Sequence, residues 1–307
     1  MQPLQAILFK LGAVAVFVTM QALIKSTSSH IPAGEAVFFR SFFALPIIIG
    51  WLAMRKELST GFKTESVMNH FWRGIIGTTA MGLGFAALRY LPLPEVTAVG
   101  YATPIFIVIF AAMFLNEQVR LFRFASVAVG LIGVMVVMAP RLSVGEEGIA
   151  TDHALGAMLA LTSAVCAALA QVFIRKMTKT ETTSSIVFWF SITATLLSLV
   201  TIYWGWSMPT PTEWLVLVTA GLLGGVGQIL LTSSYRLGDA SLVAPFDYAS
   251  MIFSVGIGFF FFAEVPLPST LAGAGIVIAA GIVIILRERQ LGLERTKGRK
   301  AVSPGGK

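Results

Sequence analysis

Apolar runs close to 20 residues long alternate with short polar breaks along the whole chain. A helix needs about 20 mostly apolar residues to cross the hydrocarbon core of a bilayer. The pattern predicts ten such helices, at 4–24, 34–53, 71–89, 94–114, 121–139, 155–174, 185–204, 213–235, 240–262 and 269–286. Helix breakers fall between the runs: Pro92 and Pro94, Pro140, Pro209 and Pro211, Gly238, Pro266 and Pro268. The period-two alternation of an outer-membrane barrel is absent. The expected fold class is therefore all-α integral membrane. The first run contains Lys10, is long enough to span, and has a copy in the second half, so it reads as a span rather than a signal peptide.

The two halves resemble each other at an offset of 147 to 150 residues. Gln21, Ile24, Val37, Phe38, Ser41 and Ala44 recur as Gln171, Ile174, Val187, Phe188, Ser191 and Ala194. Arg89, Tyr101, Ile105, Phe106 and Glu117 recur as Arg236, Tyr248, Ile252, Phe253 and Glu264. The chain divides into a first repeat at 1–140 (spans 1–5), a connector at 141–154, a second repeat at 155–287 (spans 6–10) and a basic tail at 288–307. A membrane protein built from a repeated bundle points to a transporter.

Composition supports the membrane reading. Hydrophobic residues make up 56% and charged residues 12%, with mean hydropathy +0.83, whereas a soluble domain carries about 25% charged residues. The net charge of +7 sits in loops and tail, where it orients the chain rather than binding nucleic acid. With the N-terminus in the cytoplasm, sixteen Lys and Arg fall inside, among them Arg55, Lys56, Arg73, Arg120, Arg175, Arg236 and the tail from Arg287 to Lys300. Only Lys25, Arg89 and Arg141 fall outside. Five spans per half is an odd number, so the second repeat is inverted relative to the first. Both termini are then cytoplasmic. The single Cys166 lies within a span and forms no intrachain disulfide.

The ten spans, the segment Leu91-Pro-Leu-Pro-Glu-Val-Thr-Ala that leads to Pro104, and the terminators Glu117 and Glu264 resemble the EamA family of the drug/metabolite transporter superfamily. The resemblance covers about residues 6–287. It implies a basket-like inverted repeat around a central cavity. Phe38-Phe-Arg-Ser-Phe-Phe-Ala-Leu-Pro46, with Arg73-Gly and the stretch from Met81 to Pro94, is similar to a bacterial subgroup. That subgroup includes riboflavin and S-adenosylmethionine uptake transporters. The location this implies is the bacterial inner membrane.

Charges within spans need partners or a wet cavity, because an isolated one costs about 2.5–3.5 kcal/mol on insertion scales. Four qualify: Lys10, Arg40, Glu95 and Asp247. Lys10 and Asp247 both lie roughly 10 Å in from the cytoplasmic end at 1.5 Å per residue. Arg40 and Glu95 both lie toward the outer end. The expectation is an inner pair, Lys10 with Asp247, and an outer pair, Arg40 with Glu95, acting as gates or ligand contacts or else as ion pairs that let the helices insert. For Glu95, ordinary helix-dipole complementation is a further reading. None of the four has a charged counterpart in the other half.

Polar and aromatic candidates complete the set. Gln228, in Gly224-Gly-Val-Gly-Gln, has Met81 as its counterpart and is a candidate for substrate contact; Gln21 and Gln171 are matched and equally suit interhelical bonding. Tyr101 and Tyr248 occupy one position in the two repeats, where they would stack a flat cargo or pack the core with bonded hydroxyls. Glycines at 74, 77, 82 and 84 and at 221, 224, 225 and 227 predict close helix approach or bending.

Rival function classes find little support. His30, His70 and His153 lie in loops or at span ends, and no His-Glu-x-x-His pattern or nucleotide phosphate loop exists. An intramembrane enzyme is thus the remote alternative, and a channel lacks a repeated selectivity loop. The expectation is a secondary transporter, with no cofactor or metal, that moves a small metabolite by alternating access. Riboflavin uptake comes first, with S-adenosylmethionine uptake or export of amino acids or related metabolites as alternatives. The expected partners are the small-molecule substrate and membrane lipid, and the expected state is a monomer or weak homodimer.

Overall fold

A computed structural model of the chain describes residues 3–115, 121–142, 149–177, 180–237, 244–283 and 286. Every regular element among them is helical. α1 (Pro3–Thr27) is followed by α2 (Ala33–Phe42), α3 (Ala44–Met54), the short α4 (Leu58–Gly61) and α5 (Val67–Tyr90). Then come α6 (Leu93–Gly100), α7 (Ala102–Leu115) and α8 (Leu121–Leu142). The second half holds α9 (Ile149–Met177), α10 (Thr183–Leu199) with a 3₁₀ turn at Val200–Trp204, and α11 (Pro211–Leu237). A 3₁₀ turn at Ala244–Tyr248 leads into α12 (Ala249–Phe262), and α13 (Pro268–Val283) follows.

Among the described residues, five stretches are long and apolar enough to cross a membrane: Leu4–Thr27, Ala33–Met54, Thr151–Ile174, Ser184–Trp204 and Pro211–Ser234. Ala128–Pro140, Phe246–Phe262 and Pro268–Val283 are shorter apolar helices. α5 matches the long helices in length at 24 residues, but His70, Arg73 and Arg89 lower its hydropathy.

Proline explains where helices break. Pro46 has no N–H to give to Phe42 O, and the chain interrupts at Phe43 between α2 and α3. Pro104 stands in the same relation to Gly100, and the interruption falls at Tyr101. Tyr101 and Tyr248 have nearly the same backbone, φ −68° and ψ −6° against φ −67° and ψ −16°. Matched positions of the two halves thus carry matched breaks.

The most extensive helix contacts are α1 on α11 and α5 on α9. The sequence offset turns α1 into α9 and α11 into α5, so each contact is the image of the other. Small residues allow them: Ala13, Ala157, Ala160, Ala164 and Ala220 are buried. α2 packs on α5, α10 and α11. Two apolar cores result. One joins Ala98, Tyr101 and Ile105 to Ala160, Val134 and Val277; the other joins Val14, Val18, Phe39, Phe85, Leu88 and Leu217.

The glycines serve separate neighbours. A Cβ on Gly221 would meet Phe39 O and Phe43, one on Gly225 would meet Ala44 O and Ile47, and one on Gly227 would meet Phe17. On α5, Gly74 faces Thr193 and Gly84 faces Ser163. These two glycine-rich helices therefore accommodate α1, α2, α3, α9 and α10.

Several sequence boundaries are corrected. α9 begins at Ile149, inside the stretch read as connector. α5 begins at Val67, capped by Ser66 Oγ accepting from Asn69 N at 3.4 Å, so Arg73 and His70 are buried helical residues rather than loop charges. Glu117 and the tail at 288–307 lie outside the described residues.

Candidate functional site

Lys10 Nζ lies 2.7 Å from Asp247 Oδ1. The burial is unequal: the lysine side chain is 1% exposed and the aspartate 47%. α1 carries the lysine into the apolar bundle, while the 3₁₀ turn at Ala244–Tyr248 presents the aspartate at the interruption before α12. Breaks of this kind are where carriers of duplicated fold bind solutes and ions.

Arg40 and Glu95 are not an ion pair. Both are buried, at 5% and 2% exposure, but Arg40 turns toward α10 and α11. Its Cζ lies 5.7 Å from the Phe190 ring centroid, and a Cβ on Gly224 would stand 3.2 Å from its Nε. Glu95 sits in the first turn of α6, which packs on α9, α12 and α8. Similar depth did not imply the same side of the bundle.

The neighbour of Arg40 is instead Arg73. Its Cζ lies 4.0 Å from the same Phe190 ring, and it is 7% exposed. Nε of Arg40 and Nε and Nη1 of Arg73 are buried without a hydrogen-bond partner. Among the described residues no carboxylate lies within ion-pair distance of either arginine. Cation–π contact contributes about 0.5–2 kcal/mol per pair. That is less than the insertion cost of about 2.5–3.5 kcal/mol per charge, and the two cations repel one another. Gly77 makes room for the Arg73 guanidinium, which a Cβ there would strike. The sequence signal for this site is Arg73 followed by Gly74 and Gly77, a basic residue beside small ones at the start of an apolar run.

Tyr101 and Tyr248 meet edge to face, with centroids 5.2 Å apart and planes at 79°. Tyr101 Oη donates to Tyr248 O at 3.1 Å and pairs with Ser250 Oγ at 2.8 Å. One ring's edge, one face of the other and the Tyr101 hydroxyl are thus engaged in joining the two broken helices. Gln228 is partly buried on α11, one turn beyond Gly224 and on the same face.

Each end of the bundle carries its own polar closure. Where α1 finishes, Lys25 Nζ lies 3.0 Å from Glu264 Oε1, Glu35 Oε2 accepts from Ser207 N at 3.0 Å, and His30 Nδ1 lies 3.0 Å from Glu213 Oε1. Where α1 starts, Glu181 Oε1 accepts from Thr64 Oγ1 at 2.7 Å, Glu65 N at 2.9 Å and Ser66 N at 3.1 Å. His70 Nε2 lies 3.4 Å from that oxygen, outside hydrogen-bond geometry. Sequence reading missed the Lys25–Glu264 link because Lys25 counted as an outer loop charge.

The sequence matches the EamA-like transporter family twice, over residues 4–139 and 154–287. The pseudopaline exporter CntI of Pseudomonas aeruginosa is 30% identical over 269 residues, spanning 87% of this chain and 91% of its own. The S-adenosylmethionine uptake transporter of Rickettsia conorii is 27% identical over 87% of each chain. The riboflavin transporter of Vibrio cholerae is 26% identical over 90% of this chain and 91% of its own. A protein crystal structure shares the fold with a TM-score of 0.66, at 22% identity, over 91% of this chain and 96% of that one.

Proposed function

Because this chain belongs to the EamA-like transporter family, we propose that it is a secondary carrier that moves a small metabolite across the bacterial inner membrane by alternating access. The observation that carries this reading is the Lys10–Asp247 pair at a broken helix. A buried ammonium and a half-exposed carboxylate can exchange partners with solute or water at little cost. Ten spans in two inverted halves, 1–140 and 155–287, with both termini cytoplasmic, supply the mechanism. The mirror-related contacts of α1 with α11 and α5 with α9 support that arrangement. Lys10–Asp247 then gates the cytoplasmic side and Lys25–Glu264 the outer side.

Riboflavin uptake is the first cargo to test. S-adenosylmethionine uptake and export of amino acids or related metabolites are the alternatives. The experiment is growth rescue of a riboflavin-auxotrophic, uptake-deficient bacterium at low external riboflavin. Rescue by the wild-type chain and its loss in Lys10→Met at equal membrane abundance are expected. No rescue with confirmed expression retires riboflavin, and proteoliposome uptake of the other solutes then follows.

A further inference from the structure

We infer that Arg40 and Arg73 form an oxyanion subsite, so that the cargo carries a carboxylate or phosphate group. This rests on the carrier reading above and moves the cargo from an uncharged vitamin toward an acid or phosphate ester. Both guanidinium groups are more than nine-tenths buried. They share one aromatic ring, Phe190, and three of their nitrogens have no hydrogen-bond partner. A protein that needed these charges only for insertion would have paired them, as it pairs Lys10 with Asp247 and Lys25 with Glu264. Two adjacent cations with open N–H groups create a field that an oxyanion neutralises, and a guanidinium fork matches a carboxylate or phosphate in two parallel hydrogen bonds.

The surroundings are built for the forks. Glycine stands where a side chain would meet each of them, Gly224 beside Arg40 and Gly77 beside Arg73. Arg40 comes from the last turn of α2 and Arg73 from the second turn of α5, while Phe190 comes from α10. Both donors therefore come from the first half and the ring beneath them from the second, so an anion held between the arginines sits where the two halves pack together. Gln228, one turn from Gly224 on the same face of α11, is placed to orient the rest of the cargo.

The test measures oxyanion binding by thermal unfolding of the purified full chain in neutral detergent. The probes are inorganic phosphate, acetate and citrate against chloride at constant ionic strength. At least one oxyanion is expected to raise the unfolding temperature of the wild type where chloride does not. Arg40→Gln and Arg73→Gln are expected to weaken that apparent affinity tenfold or more while leaving the anion-free protein as stable or more stable. No oxyanion effect beyond chloride, or full affinity in both variants, overturns the proposal. If a glutamine variant does not fold, Arg40→Lys and Arg73→Lys keep the charge and lose the fork. A fivefold or greater weakening is expected there, and wild-type affinity in both overturns it.

A lipid phosphate is the other source of the same chemistry. Repeating the titration in phosphatidylcholine nanodiscs with and without phosphatidylglycerol separates the two. The oxyanion effect is expected to persist in both, and its loss with phosphatidylglycerol assigns the site to a headgroup and overturns the cargo role. Flux through proteoliposomes distinguishes the two readings. Oxyanion binding without flux of any solute removes the carrier and leaves the subsite. Solute flux that is indifferent to both arginine variants removes the subsite and leaves the carrier.

Discussion

Lys25 Nζ lies 3.0 Å from Glu264 Oε1 and also donates to Leu88 O at 3.0 Å and Leu91 O at 2.6 Å. The other carboxylate oxygen of Glu264 accepts from Leu93 N at 2.9 Å. One ion pair thus ties the end of α1 to the α5–α6 turn and the end of α12. Lys25→Met removes the donor from a carboxylate and two carbonyls together, and is expected to cost about 3 kcal/mol. Adding Glu264→Gln should recover only part of the loss, because the carbonyls of Leu88 and Leu91 still lack their donor. Thermal unfolding of the single and double variants in one detergent checks this.

The unequal burial of Lys10 and Asp247 predicts unequal mutants. Asp247→Asn takes this carboxylate from a buried ammonium and is expected to be the more destabilising of the two variants. Lys10→Met leaves a half-exposed aspartate that water solvates, so its cost is expected to be about 1 kcal/mol or less. Both variants should lose at least tenfold in transport. Equal destabilisation of the two would contradict the geometry, and a Lys10→Met protein transporting at the wild-type rate would remove the gate role.

Glu181 makes stability depend on pH at the end of the bundle where α1 starts. Burial pushes its carboxyl upward, but hydrogen bonds from Thr64, Ser66 and Glu65 and the nearby His70 outweigh it and hold the pKa below the ordinary 4.5. A depressed folded pKa contributes stability that is present above the unfolded value and lost as pH falls through the folded one. Glu181→Gln is expected to cost about 1–3 kcal/mol near neutral pH. It should also flatten the decline in unfolding temperature as pH falls below the ordinary carboxylate value of 4.5, and leave the curve between there and neutrality parallel to the wild type, which a pH series on the two proteins reads directly.

At the α8–α13 contact, a Cβ on Gly273 would stand 2.5 Å from Gly133 O and 2.9 Å from Val137 N. Two of the three nearest obstacles are backbone atoms, which cannot rotate away; the third is a methyl of the Val137 side chain. Gly273→Ala is expected to cost about 1–3 kcal/mol through overpacking of a small-residue seam. Gly275→Ala on the same helix meets nothing within 4 Å and should be neutral or stabilising by up to about 1 kcal/mol, since alanine is the better helix former. Comparing the folded, monodisperse yield and unfolding temperature of the two separates packing from helix propensity.

Hydrophobic run length is a local property, and the sequence by itself determined what depends on it: a helical membrane protein, a repeated half and the approximate positions of most helices. The Lys10–Asp247 contact was legible for the same reason, since both residues lie a similar distance into runs that start from one side. The partner of Arg40 was not. Counting residues gives depth along a helix but not the angle around the bundle, and at a shared depth Arg40 faces Phe190 and Gly224 while Glu95 belongs to another contact. Arg73 was misplaced because hydropathy starts its helix at Phe71, whereas Ser66 caps it at Val67 and Glu181 bonds the turn from across the loop. Helix ends follow from such tertiary bonds, and only the packed structure decided that two buried arginines would share one ring.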